Sequence, residues 1–275
     1  MPLSYVLAGG LASAAGDVYV RRDIEYARYG EMRLNLDAGL PQTAAPCPAV
    51  IVVHGGGWVR GDRAVDVAPL LQPLSDAGFA WFSISYRLVN DFTQFGAGIE
   101  DVQAAIRFVK AHAAEYNVDP NRIALVGESA GGHLAAMAAL ADDPATRVNA
   151  VVALYAPTDL AAIARTSKQV PQWIRDNLQG TPFEAIILAR LKELSPIEHV
   201  RRDMPPFLLI HGTADTLVPF EQSRAMCDRM KAAGARCELY AVEGAGHGVR
   251  WWESSGVVSR SYKREMVRWL KERLS

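Results

Sequence analysis

Three short stretches carry the residue types that acyl transfer requires: Gly127-Glu128-Ser129-Ala130-Gly131, His211-Gly212-Thr213-Ala214-Asp215 and Gly244-Ala245-Gly246-His247-Gly248. A serine hydroxyl attacks a carbonyl only when a base takes its proton, and an imidazole is a good base only when a carboxylate orients it. The first stretch has the G-x-S-x-G pattern of a nucleophile elbow, with an apolar run, Ile123 to Val126, before it and an alanine-rich run after it. A turn this tight brings the positions two before and two after the serine together, which accounts for Gly127 and Gly131 and leaves Ser129 at the apex. The helix N-terminus beneath it favours negative charge. Asp215 and His247 then follow in the chain order Ser, acid, His, each just past a strand end. Ser129, Asp215 and His247 are the expected catalytic residues. Asp159 competes for the acid role, but it follows an earlier strand and reads well as a helix N-cap.

A tetrahedral intermediate also needs donors for its oxyanion. His54-Gly55-Gly56-Gly57-Trp58 follows a buried strand, Ala49 to Val53, and glycines let backbone N–H groups turn towards the elbow unobstructed. The expected donors are Gly56 and Gly57 together with the N–H of Ala130; which two glycines point inward stays open. His54 reads as a residue that shapes this loop. His133, four residues after Ser129, reads as packing, and His112 and His199 as surface. Glu128 has two readings, a pocket residue that tunes His247 or an exposed turn residue. Arg87 reads as a structural ion-pair partner. His211 and Asp215 suggest a metal pair, yet no third ligand follows and there is no H-E-x-x-H. No metal and no cofactor are expected.

The elements that must position these residues alternate. Asp17 to Tyr26 and Met32 to Asp37 read as an antiparallel edge hairpin, and Phe79 to Tyr86, Ala150 to Tyr155, Phe207 to Ile210 and Cys237 to Val242 as further strands. Asp66 to Asp76, Ile99 to Tyr116, Phe220 to Ala233 and Val257 to Leu274 read as helices, the second with Val102, Ile106 and Val109 on one apolar stripe. Strands alternating with helices predict an α/β class, a doubly wound and mostly parallel sheet with its site at the carboxyl ends of the strands. Asp159 to Arg202 breaks the rhythm, since a crossover needs far fewer residues. The expected organisation is one domain over residues 1–275 with a small helical cap insertion at about 159–202.

Composition agrees with a folded chain that has a sizeable core. Of 275 residues half are hydrophobic and 21% charged, and the net charge of −1 speaks against nucleic-acid or anionic-membrane partners. No apolar run reaches the length of a membrane-spanning helix. The three cysteines, Cys47, Cys227 and Cys237, have no zinc or C-x-x-C spacing and are expected to be buried small hydrophobes, a Cys227–Cys237 bridge being the alternative. Leu3 to Leu11 followed by Ala12-Ser13-Ala14 fits a signal-peptide remnant, but glycines interrupt the run and no Lys or Arg precedes it. Localisation, cytoplasmic or secreted, therefore stays open.

Together H-G-G-G-W, S-Y-R-L (Ser85 to Leu88), G-E-S-A-G-G, H-G-x-x-D-x-x-V-P and G-x-G-H-G resemble the α/β-hydrolase esterases of the hormone-sensitive-lipase type. Within that group the H-G-G-G-W form is similar to the BD-FAE-like carboxylesterases, which include acetyl and feruloyl esterases, with kynurenine formamidases as near neighbours. The resemblance implies the α/β-hydrolase fold, the Ser129, Asp215, His247 triad and the H-G-G-G oxyanion hole. Two departures are Glu128, where lipase-type enzymes often carry Asp, and Val89-Asn90-Asp91, where they commonly have A-P-E.

The substrate is the least legible part. Trp58, Trp251 and Trp252, with Phe92 and Phe95, flank the expected site loops, and Trp173 and Phe183 lie in the insertion. A small cap with aromatic walls fits a short acyl ester, acetyl to butyryl, on a carbohydrate or an aryl alcohol. An amide hydrolase of the same fold, a formamidase or peptidase, would use the same residues; the lack of an N-terminal β-propeller counts against the oligopeptidase form. A binding module of this fold usually lacks a triad member, and nothing speaks for a purely structural protein. A small-molecule ester, and a monomer or homodimer, are the expected partner and state.

Overall fold

Alternation along one strand explains the layering. In β3 (Cys47–Val53) the side chains of Ala49, Ile51 and Val53 enter one core and those of Val50 and Val52 another, all fully buried. Such a strand must lie inside a sheet covered on both faces. The computed structural model describes residues 18–89, 94, 96–166 and 184–275, the side chains of residues 166 and 257 excepted. Expectations for the leader, and for Asn90, Asp91, Phe92, Phe95, Trp173 and Phe183, lie outside the described residues.

The edge hairpin β1 (Val18–Tyr29) and β2 (Met32–Pro41) is antiparallel, as its turn at Gly30 (φ +60°) predicts. With β3, β4 (Ala80–Ile84), β5 (Val118–Glu128), β6 (Ala150–Leu154), β7 (Phe207–Gly212) and β8 (Cys237–Val242) it makes an eight-stranded sheet in the order β1-β2-β4-β3-β5-β6-β7-β8. From β4 through β8 every pairing is parallel, so these strands end on one edge. Helices α1 (Ala68–Asp76), α2 (Ala97–Ala111) and α3 (Ala130–Leu140) precede two short ones, α4 (Leu160–Thr166) and α5 (Glu184–Glu193). After them come α6 (Glu221–Ala232), α7 (Val249–Trp252) and α8 (Gly256–Leu274).

Ile106, Leu134 and Met226 put α2, α3 and α6 on one face of the sheet; Leu70, Tyr262 and Trp269 put α1 and α8 on the other. Each such buried side chain contributes about 1.5–3 kcal/mol. The second helix stops short of the expected Tyr116: Asn117 adopts φ +51° and its carbonyl accepts from Cys47 N–H, turning the chain directly into β5. Arg87 bonds the buried Asp101 carboxylate at 2.8 Å and lies over the Tyr29 ring, a structural partner as expected. Between β6 and β7, α4 and α5 share a small core of Leu160, Ala161, Ala164, Leu188, Leu191 and Leu194, against which Trp58 packs. Cys227 and Cys237 form a disulfide between α6 and β8, their Cα atoms 5.4 Å apart, because these two elements pack side by side. That corrects the expectation of three unpaired thiols; Cys47 alone is free. Among the described residues no helix is long and apolar enough to cross a membrane.

Candidate active site

At the end of β5 the chain reverses into α3 through Ser129, whose φ of +52° and ψ of −120° lie outside the ordinary L-residue regions. Any Cβ on Gly127 would come within 2.4 Å of the Gly131 carbonyl oxygen, and one on Gly131 within 2.2 Å of Val53 O, so the turn tolerates only glycine at both places. The Ser129 N–H donates to Leu154 O on the neighbouring strand at 2.9 Å.

His247, half-buried, brings Nε2 to 2.9 Å from Ser129 Oγ, and its Nδ1 lies 2.7 Å from Asp215 Oδ2. The other carboxylate oxygen accepts N–H bonds from Leu217 and Val218, both at 2.9 Å. His211, wholly buried, approaches Oδ2 at 3.4 Å through Nε2, which also donates to Val218 O, while Ser223 Oγ donates to its Nδ1. Burial alone would raise the Asp215 pKa, but the bonds from His211 and His247 outweigh it and hold the carboxyl well below the usual range. The group is therefore anionic. A hydroxyl, an imidazole and a fixed carboxylate in line can pass the Oγ proton to Nε2 while Nδ1–H stays bonded to the carboxylate. Asp159 lies elsewhere: its Oδ1 accepts from Ala162 N–H at 2.9 Å, at the start of α4, the capping role its position predicts.

Glu128 is buried, so of its two readings the exposed turn residue falls. One oxygen accepts from Gly55 N–H at 2.8 Å and the other from the Tyr155 hydroxyl at 2.7 Å. Tyr155 accepts in turn from Val249 N–H at 2.8 Å and stands edge-on to the His247 ring, centroids 4.6 Å apart. Burial pushes the Glu128 carboxyl up, against the bonds from Tyr155 and Gly55. Sequence reasoning missed Tyr155. The signal was available: it follows directly on β6, the parallel neighbour of the elbow strand, whose last residue, Leu154, pairs with Glu128.

Gly56 and Gly57 adopt φ of +108° and +63°, and a Cβ on Gly56 would meet Arg60 O at 2.1 Å. The Gly55 N–H is taken by Glu128, whereas among the described residues no acceptor takes those of Gly56, Gly57 or Ala130. His54 stacks on Tyr86 and its Nδ1 donates to Gly55 O, so it shapes the loop. The three tryptophans expected around the substrate have different surroundings. Trp58 is half-buried, Trp251 is 77% exposed, and Trp252 is buried against Tyr155 and Tyr262 with its indole N–H on Gly246 O. Trp252 thus braces the loop that carries His247 from behind, which corrects its expected place in the wall.

His133 is wholly buried on α3, and burial, partly offset by its bond to Leu194 O, lowers its pKa to about 4. In an unfolded chain its value is 6.5. Between those values the unfolded chain holds the extra proton, so this group's contribution to stability is complete above pH 6.5 and is lost as pH falls towards 4. We expect acidification across that window to destabilise the wild type by about 3 kcal/mol more than His133→Asn. Denaturant melts at several pH values would measure this; parallel curves for the two proteins would refute it.

Fold and elbow together define an α/β-hydrolase, and the comparisons with known proteins narrow the class. The BD-FAE family model matches residues 36–230. The chain belongs to the BD-FAE family. It is 36% identical over 221 residues to Esterase LipC of Mycobacterium tuberculosis (strain ATCC 25618 / H37Rv), covering 74% of this chain and 53% of LipC. The Probable carboxylic ester hydrolase LipM of the same organism is 31% identical over 257 residues, 85% of this chain and 59% of LipM. The chain thus spans about half the length of the curated relatives it matches. Among solved structures, a truncated carbohydrate esterase from gut microbiota superposes with a TM-score of 0.77 at 30% identity, covering 96% of this chain and 99% of that one. The propionate-bound esterase Est2 of Thermogutta terrifontis gives 0.73 at 28% identity, covering 94% and 95%.

Proposed function

We propose that this chain is a serine carboxylesterase acting on short-chain acyl esters. Ser129 Oγ attacks the ester carbonyl as His247 Nε2 takes its proton. Asp215 holds the Nδ1–H tautomer and stabilises the imidazolium. The tetrahedral oxyanion is held by the N–H groups of Gly56, Gly57 and Ala130. His247 then returns the proton to the departing alcohol, and water repeats the sequence in reverse to release the acid. The observation that carries this reading is the unbroken line from Ser129 Oγ through His247 to the Asp215 carboxylate. Esterase relatives and the propionate held by Est2 support the reaction and the acyl size.

The chain acts as one domain in this reading, with the segment at about 159–202, α4 and α5 included, as a cap. Trp58 and the exposed Trp251 are the proposed substrate contacts. A pocket open along its length gains up to about 0.8 kcal/mol per added methylene, and a closed one reverses that trend. With p-nitrophenyl esters from acetate to decanoate, kcat/KM should peak between acetate and butyrate and fall steeply by octanoate. N-formylkynurenine in the same panel tests the amide alternative. A preference for decanoate, or turnover of the formamide alone, would overturn the assignment.

A further inference from the structure

Helix α3 is made almost wholly of alanine, glycine and leucine, with one ionisable side chain, His133, one turn after Ser129. Its backbone N–H bonds Ser129 O at 3.1 Å, which fixes the ring's distance from the elbow. The imidazole is engaged at both nitrogens: Trp58 Nε1–H donates to Nδ1 at 3.1 Å, and Nε2 lies 2.7 Å from Leu194 O. Since a carbonyl can only accept, Nε2 carries the proton and Nδ1 is bare, the one neutral tautomer that serves both partners. The two partners belong to different parts of the molecule. Trp58 follows Gly57 directly and itself adopts φ +65°, so the setting of its indole and the direction of the Gly56 and Gly57 N–H groups are linked through a few shared torsions. Leu194 bonds back to Arg190 O at the end of α5 and belongs to the small core of α4 and α5, against which Trp58 also packs.

We propose that His133 is a positioning residue that ties the glycine loop to the cap helices, so that the seating of α5 sets the aim of the oxyanion donors. This rests on the esterase reading above. A buried ring that merely filled space would be served as well by an apolar side chain; two directional bonds to two separate elements are what an apolar side chain cannot supply.

Two substitutions divide the bonds. In His133→Gln the amide N–H reaches the place of Nε2 and keeps Leu194 but gives up Trp58. In His133→Asn the amide oxygen stands for Nδ1 and keeps Trp58 but falls short of Leu194. Trp58→Phe removes the indole donor and keeps a ring. Rates are to be divided by active sites titrated with paraoxon, so that misfolded protein drops out. For p-nitrophenyl acetate we expect His133→Gln and Trp58→Phe each to lower kcat by about tenfold or more, with KM within about twofold, because donors displaced by a fraction of an ångström act on the transition state. The double variant should be no worse than either single one. His133→Asn keeps the indole bond but frees the loop from α5, so it should raise KM several-fold and lower kcat by a smaller factor, about three- to fivefold. Unchanged per-site kcat and KM in all three, with only Tm lowered, would overturn the proposal, as would losses that simply add.

A wild type that is inert to every ester and unlabelled by paraoxon would sink the esterase reading instead. The tie is still decided in that case by 15N NMR of the full chain. His133 should give the Nε2–H tautomer, and the Trp58 indole resonance should move in His133→Gln and hold in His133→Asn. An Nδ1–H tautomer, or an indole resonance indifferent to both, would refute it.

Discussion

Ser129→Ala is expected to lower kcat by about 10⁴–10⁶ while the far-UV spectrum and unfolding midpoint stay close to wild type. The size follows from the bond removed: Oγ is the atom that His247 Nε2 meets at 2.9 Å, and without it no group at the elbow can attack. The backbone donors and the pocket survive, so a residual rate above water should remain. The backbone at position 129 accepts alanine as readily as serine, which is why the fold should hold. Paraoxon should phosphorylate the wild type at Ser129 and leave the variant untouched. Ser83 Oγ donates to Arg63 O, and Ser85 Oγ accepts from the Arg63 guanidinium at 3.0 Å, so both are engaged away from the elbow. A phosphorylated peptide containing either of them, in place of Ser129, would end the assignment.

Asp215→Asn should cost about 10⁴ in kcat, against a change of no more than a few-fold for Asp159→Asn. The carboxylate accepts from Leu217 and Val218 N–H at one oxygen and from His247 Nδ1–H at the other. An amide that keeps the backbone pair must turn its NH₂ towards His247. The ring then flips to the tautomer whose Nε2–H points at Ser129 and can no longer take a proton. Asp159 caps α4, a task that asparagine performs about as well. Steady-state kinetics per titrated site, with the unfolding midpoint as control, separates the two; the opposite ranking would move the acid to Asp159.

How much of this was legible depends on whether a residue's neighbours are close in sequence. The elbow was, because strand, turn and helix are contiguous and Gly127 is dictated by Gly131 four residues on, although Gly131 itself is dictated by Val53 and His54 at the end of β3. The strands were legible too, since β-branched runs such as Val50 to Val53 announce burial on both faces. Their ends were not, and β5 starts at Val118 because of a turn at Asn117 that no periodicity marks. Side chains recruited across the sheet escaped altogether. Tyr155 gains its role only by standing beside Glu128 just past the end of the next strand, and His133 gains its partners from residues 75 positions earlier and 61 positions later. The disulfide belongs to the same group: a spacing of ten residues says nothing until α6 lies against β8. Trp251 and Trp252 are adjacent in sequence and opposite in exposure, because one short helix, α7, points them to different sides.

Glu128 has two carboxylate oxygens, and each holds a different loop: Gly55 on one side and, through Tyr155, the start of α7 on the other. The proposed donors and the proposed base are therefore both referenced to one datum, the residue bonded to the proposed nucleophile. Breathing of the sheet that shifts the elbow carries both loops along with it. In the language of instruments, the error is common-mode: absolute positions wander while the separations that matter for attack are preserved.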